Sequence, residues 1–260
     1  MSETNRILQV EGLWKTYGDK NNLTEALRGI SFDVLEGEFL GIMGASGSGK
    51  TTLLNCIASL IRPSEGRISL AGKDISGFND SQLAEYRGRD IGYIFQEFEL
   101  LDNMTAGENI TLPLNLQGFS SQNTAEPLKK IAELFGISAE LNKFPAQLSG
   151  GEKQRAAAAR ALITNPHIVL ADEPTGALDS KNAKVLMTQL AAVNQQQRRT
   201  IIMVTHDANV ACYCNRILFI QDGQIYHELR RHLPAETNDS FYERIITVIA
   251  QLGGGRAHVL

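Results

Sequence analysis

Eight consecutive residues, Gly44, Ala45, Ser46, Gly47, Ser48, Gly49, Lys50 and Thr51, have the types and spacing that hold phosphate. The glycines permit backbone conformations that aim successive N–H groups at phosphate oxygens. Lys50 adds a point charge for the terminal phosphates, and the Thr51 hydroxyl is a hard oxygen donor suited to Mg2+. A helix starting at the end of this loop would present its positive N-terminal end to the same anion. A second cluster, Asp172 and Glu173, follows the apolar run Ile168, Val169, Leu170 and Ala171. Delivered at a strand's carboxyl end, Asp172 suits the Mg2+ shell through water, and Glu173 is placed to polarise an attacking water. Without the phosphate loop upstream, the same pattern reads equally well as a strand ending in a solvated acidic turn. A third cluster, Ser149, Gly150, Gly151 and Glu152, has capping-box spacing before an alanine-rich stretch. Its two glycines let an anion come close to a helix N-terminus, which would make a second phosphate-binding end. An ordinary capped helix has the same pattern.

The elements that must position these groups are legible as patterns. Residues 7–13, 30–35 and 38–43 read as strands, with a polar loop at 18–24 and a turn at Glu36 and Gly37. The third strand runs straight into the glycine-rich loop. Leu53, Leu54, Ile57 and Leu60 predict a helix over 51–61, and 68–70 with Gly72 and Lys73 suggests a short hairpin. Residues 103–147 are helical in pattern, with breaks expected at Pro113, Gly118, Gly136 and Pro145, and read as a distinct helical lobe. The wholly apolar or β-branched runs 168–171 and 200–205 suit buried parallel strands, with helices over 154–164 and 182–195. Residues 216–220 and 224–226, around Asp222 and Gly223, read as a terminal hairpin. In the tail, Phe241, Ile245, Ile249 and Leu252 predict an amphipathic helix, begun by a capping box of Ser240 and Glu243 and ended by Gly253, Gly254 and Gly255. Its apolar face could pack on its own domain, on a second copy or on a membrane partner.

Composition bounds the rest. The chain has 260 residues, 43% hydrophobic and 21% charged, enough for a sizeable core. A net charge of -4 gives no basic field for nucleic acid, and no nucleic-acid partner is expected. Three cysteines, Cys56, Cys212 and Cys214, do not make a disulfide framework, and the spacing of the last two is not that of a zinc site. The N-terminus lacks the pattern of a signal peptide, and no apolar run approaches the ~20 residues needed to span a bilayer. The expectation is a soluble cytoplasmic chain; if it works at a membrane, another chain supplies the membrane part.

Together, 44–51, Leu148 to Glu152 and 168–173 resemble the nucleotide-binding subunits of ABC transporters, with Leu148 to Glu152 similar to their signature motif. The resemblance runs from about residue 7 to residue 228. It implies an α/β fold: a RecA-like P-loop NTPase core with an antiparallel β subdomain and an inserted α-helical lobe. The expected layout is a single ATPase domain over 1–260, with core 1–96 and 151–230, helical lobe about 97–150 and a C-terminal amphipathic helix about 238–254. By the same resemblance, Tyr17 stacks on adenine, Thr52 joins the phosphate loop, and Gln96 senses Mg2+ and the attacking water. Asp179, after Gly176, Ala177 and Leu178, crosses a dimer interface, and His206 contacts the γ-phosphate. The implied substrate is ATP with Mg2+, hydrolysed in a homodimer in which Ser149, Gly150 and Gly151 of one copy face the nucleotide of the other. An integral membrane permease is the implied partner, met near Phe98, Leu100 and Leu101 unless these are lobe core, so that the chain works at the inner face of the membrane. Residues 95–101 and 105–113 are similar to the branch of macrolide exporters and lipoprotein-release ATPases; 216–223 and the tail are similar to the bacitracin-resistance type. Glu152 and Lys153 stand where many relatives have two glutamines. Mechanotransmission without a moved substrate, and DNA-repair or translation ATPases without a permease, are the competing readings.

Overall fold

The computed structural model describes residues 6–18, 22–232 and 234–254. Its short apolar runs are covered on both faces. β3 (Phe39–Met43), β6 (Ile91–Ile94), β7 (Ile168–Asp172), β8 (Thr200–Val204) and β9 (Arg216–Gln221) pair in parallel in the order β9-β3-β8-β7-β6. β10 (Gln224–Arg230) closes one edge antiparallel to β9. Alternate side chains feed two separate cores, as strand pleating requires. Phe39, Met43, Val169, Ala171, Ile201 and Met203 enter the core that holds α5 (Gly150–Leu162) and α6 (Ser180–Gln197). Leu40, Ile42, Ile168, Leu170, Ile202 and Val204 enter the other, with α1 (Lys50–Ile57).

A second, antiparallel sheet covers that other core. It has the order β2-β1-β4-β5, from β1 (Arg6–Tyr17), β2 (Thr24–Leu35), β4 (Glu65–Leu70) and β5 (Lys73–Asp74). Between β5 and β6 lies α2 (Asp80–Arg89). The inserted helices are α3 (Ala106–Leu116) and α4 (Ser121–Leu134), whose Ile110, Leu114 and Ala132 share the core of α5. α7 (Ala208–Ala211) and α8 (Asn238–Gly254) complete the chain.

Several elements depart from the pattern-based expectation. α1 stops at Ile57 rather than 61, because Ser59 adopts φ 55 and the N–H groups of Leu60 and Ile61 turn back to the Asn55 carbonyl. α2 and β6 were not anticipated. α2 buries only Leu83 and Tyr86, too few for a periodic signal, although Asn79 and Gln82 form a capping box at its start. β6 is only four residues long and contains Gly92, where a Cβ would lie 2.1 Å from the Ala161 carbonyl oxygen, so close packing on α5 excludes a side chain at that position and interrupts the strand pattern. Pro113 does not break α3. It lies inside the helix three residues from its end, where the ring removes one hydrogen bond of the last turns. Gly118 and Gly136 do follow helix ends, with φ 86 and 58, and Pro145 opens a 3-10 turn. α5 starts at Gly150 rather than 154. The start of α8 is capped by Thr237, whose hydroxyl accepts from the Ser240 N–H at 3.2 Å, so Ser240 lies inside the helix. Gly255, the last of the expected stop signals, and residues 19–21 of the 18–24 loop lie outside the described residues. Among the described residues, no helix is long and apolar enough to cross a membrane.

One buried ion pair joins the two sheets. Arg216 Nε lies 2.6 Å from Glu38 Oε1, and the same guanidinium donates to the Asp33 carbonyl of β2. Glu38 also accepts from the Leu35 N–H at 2.9 Å. The two side chains are only 7% and 9% exposed. Removing one partner strands the other charge. Arg216→Ala is expected to destabilise the protein by about 3 kcal/mol or more in denaturant unfolding, and Glu38→Ala added to it should recover part of the loss.

Candidate active site

Parallel pairing brings four strand ends to one edge of the sheet. β3 ends in the phosphate loop, β6 in Phe95 and Gln96, β7 in Asp172 and Glu173, and β8 in Thr205 and His206. The register is tight: Ile42 pairs with Val204, Val204 with Asp172, and Ala171 with Ile94. The carboxyl ends of an open parallel sheet are where ligands bind. A cleft of about 620 Å3 opens there, lined by Gly44, Ala45, Ser46, Gly47, Gly49, Lys50, Thr51, Thr52, Gln96, Glu173 and His206, with Ala26 from β2.

The loop is shaped by its glycines. A Cβ on Gly44 would sit 2.2 Å from the Ile220 carbonyl oxygen, and Gly49 has φ 101 with the Ala26 carbonyl oxygen 2.4 Å from its notional Cβ. Gly49 caps α1 without a side-chain hydrogen bond, so the helix N-terminus keeps N–H groups for an anion. Lys50, buried at 7% exposure, donates to the carbonyls of Gly44 and Ala45, each at 2.9 Å. Burial holds its ammonium below the usual lysine range, and the nearby charges of Glu173 and Asp172 push it back up. The Ser48 hydroxyl oxygen is buried without a hydrogen-bond partner. A cation and free N–H groups aimed into one cleft fit a polyphosphate.

The carboxylates divide. The Thr51 hydroxyl donates to Asp172 Oδ1 at 3.2 Å, which sets a hydroxyl and a carboxylate side by side. Burial raises the Asp172 carboxyl; the Thr51 hydrogen bond lowers it, Glu173 raises it and Lys50 lowers it. Thr51 and the Gln96 amide line the cleft, and Thr51 ties Asp172 to it, so these three offer an all-oxygen donor set that fits Mg2+, an ion that keeps waters and shares substrate phosphates. Glu173 takes φ 43, a left-handed conformation rare for a residue with a side chain. Its N–H bonds the Val204 carbonyl at 3.0 Å, and its Oε2 lies 2.7 Å from His206 Nδ1. Backbone strain of this kind persists where surrounding structure over-determines it, as at functional sites.

The other expected site residues lie outside this cleft. Tyr17 ends β1, 42% exposed, with the Lys15 ammonium 5.0 Å from its ring centre. Ser149 and Glu152 form the reciprocal capping box: the Ser149 N–H and hydroxyl donate to Glu152 Oε2 at 2.7 Å, and the Glu152 N–H donates back to the hydroxyl at 3.4 Å. Asp179 caps α6, accepting from the Asn182 N–H and side-chain amide at 2.8 Å each. Asn182 also packs on Gly151, where a Cβ would come within 2.1 Å of its Oδ1. Ser149, Gly151 and Asp179 thus belong to one surface through Asn182, a residue that carries no motif signal. Gln154 is a second such residue. Fully buried, it donates to the carbonyls of Phe95 at 3.0 Å and Pro174 at 2.7 Å, tying the segments that carry Gln96 and Glu173.

The family profile described as ABC transporter matches residues 27–176. The bacitracin export ATP-binding protein BceA of Halalkalibacterium halodurans is 46% identical over 95% of this chain and 97% of its own length. The ABC transporter ATP-binding protein YxdL of Bacillus subtilis is 45% identical over 95% of this chain and 95% of its own. Among solved structures, the Methanocaldococcus jannaschii cassette MJ0796, a dimer in a post-hydrolysis state with ADP and Pi, has a TM-score of 0.80 at 37% identity, over 86% of this chain and 98% of that one. The fold is therefore that of a P-loop NTPase cassette. Gly44→Ala, which drives a methyl group against the Ile220 carbonyl, is expected to lower affinity for a fluorescent ATP analogue by more than about tenfold while leaving the far-UV circular dichroism intact.

Proposed function

This chain belongs to the ATP-binding and ATP-hydrolysing subunits of ABC transporters, and from that premise we propose that it works as a homodimer that sandwiches ATP between two copies. In this reading the phosphates rest on Gly44 to Thr52 and the N-terminus of α1, with Lys50 against the terminal phosphates. Tyr17 stacks on the adenine. Thr51, Asp172 and Gln96 would hold Mg2+, which would neutralise charge developing on the phosphates. Glu173 accepts a proton from the water that attacks the γ-phosphorus, and ADP departs. His206, donating through Nδ1 to Glu173, would orient the carboxylate, and in its protonated form would donate through its other nitrogen to the γ-phosphate. The second copy supplies Ser149, Gly150 and Gly151 at a helix N-terminus, and Asp179. The observation that carries the reading is the 2.7 Å pair of Glu173 and His206 in the same cleft as the phosphate loop. The placement of Ser149 to Gly151 outside that cleft supports their use on another copy.

The permease partner is proposed to seat a short helix between the core and the inserted helical lobe. A cavity of about 710 Å3 lies there, walled by Arg87, Tyr93, Phe95, Leu112, Leu116 and Arg160. Leu116 is 80% exposed, which suits an apolar anchor from a partner. Phe98, Leu100 and Leu101, expected at the groove's edge, do not line this cavity. Phe98 lies under the Lys153 ammonium at 6.0 Å and beside Gly150, and Leu100 packs on the core. Through this permease the chain would act at the inner face of the membrane. Similarity to a bacitracin export protein along nearly the whole chain supports resistance to antimicrobial peptides as the task. Addition of a bacitracin-type peptide should stimulate ATPase activity of the chain assembled with its permease. An unchanged rate across such peptides favours mechanotransmission or lipoprotein release.

Glu173→Gln should keep ATP affinity, accumulate an ATP-bound dimer in size-exclusion chromatography and lower kcat by about 100-fold or more. Turnover near that of the unmodified chain removes Glu173 from the role of base.

A further inference from the structure

α8 carries two apolar stripes. The first, Phe241, Ile245 and Val248, is buried in the core beside α7. The helix start is clamped there. The guanidinium groups of Arg231 and Arg244 lie 5.8 and 5.7 Å from the Phe241 ring centre, and Arg244 pairs with Glu236 at 2.9 Å. Arg231 also donates to the Glu236 carbonyl and Asn238 Oδ1, each at 2.8 Å. The second stripe faces out: Ile246 and Ile249 remain 37% and 36% exposed.

Charge narrows what can cover that stripe. From Ile245 to Gly255 the sequence has no ionisable side chain. Anionic headgroups and nucleic acid reward Lys and Arg, which this stretch lacks. A neutral apolar stripe gains by meeting another. Its place narrows the choice further. Ile249 and Leu252 close a cavity of about 440 Å3 whose remaining walls include Met43, residues 44–48 and His206. The same loop and the same histidine line the nucleotide cleft. Ile249 and Leu252 therefore lie beside the loop that meets the second copy when ATP is sandwiched, and Ile246 stands one turn before Ile249 on the same face.

We propose that Ile246 and Ile249, with Leu252 behind them, form an additional contact between two copies of this chain, an isologous pairing of α8 with α8. This rests on the sandwich reading and adds to it. A two-fold axis brings one patch onto its own copy, so an uncharged stripe meets no like charge. Three aliphatic side chains fall well short of the ~800 Å2 per partner of a self-sufficient interface, so the contact strengthens a dimer assembled elsewhere.

The test uses the full-length chain carrying Glu173→Gln, with ATP, in sedimentation equilibrium. Adding Ile246→Asp, which lies outside the cavity closed by Ile249 and Leu252, should raise the dimer dissociation constant about tenfold or more, with monomer affinity for a fluorescent ATP analogue unchanged. Separately, Ile246→Cys should give a disulfide-linked dimer under mild oxidation, since the native cysteines are all buried. An unchanged dissociation constant, or no link, overturns the proposal while the ATP-dependent dimer itself stands. If Glu173→Gln forms no dimer at all, the sandwich reading fails instead, and the Ile246→Cys link without ATP then decides: its presence supports the α8 contact and its absence overturns it. In membranes holding the permease, a link to the permease rather than to a second copy also overturns it.

Discussion

Parallel hydrogen bonding of β3, β8, β7 and β6 is the constraint on which the rest depends. Four strands running the same way must end at the same edge, and each ends in a different chemical group: a phosphate loop, a histidine, two carboxylates and a glutamine. One residue of slip would turn each side chain to the opposite face and part Glu173 from His206. The register is held by burial on both faces, since alternate residues of β3, β7 and β8 feed different cores. Fully burying an aliphatic side chain is worth about 1.5–3 kcal/mol, so a shifted register has no cheap alternative.

The same burial sets the charges at the edge. Lys50 and Asp172 are drawn out of water, and each is held from its ordinary ionisation mainly by desolvation. Their mutual attraction offsets part of that cost. Within the site Lys50 bonds the loop carbonyls, Thr51 bonds Asp172 and Glu173 pairs with His206.

The cleft's own residues were legible because their chemistry demands fixed types at fixed spacing. Gly44 to Thr51 and Asp172 with Glu173 could be named from the sequence, His206 came only with the family resemblance, and the apolar runs before them gave the parallel strands. What escaped had weak local signal. α2 buries two residues, β6 contains Gly92 for close packing, and Pro113 sits where a helix tolerates it. Gln154 and Asn182 act through contacts far apart in sequence, which no local pattern encodes. The tail helix was legible from its period, but not its two faces. Phe241 and Ile245 bury while Ile246 and Ile249 remain outside, and only packing distinguishes them.

The central claim is that each hydrolytic site is built from two chains. Mixing two inactive variants tests it most directly. Lys50→Ala disables the phosphate loop, and Gly150→Asp sets a carboxylate at the opposing helix end, where the structure has room for a side chain. A mixed dimer joins the intact loop of one chain to the intact Ser149–Gly151 of the other. Mixing equal amounts should therefore restore ATPase activity to about a quarter of the unmodified level, from half the dimers with one good site each. No recovery, with mixed dimers demonstrated by differential tagging, would contradict the account and confine each site to a single chain.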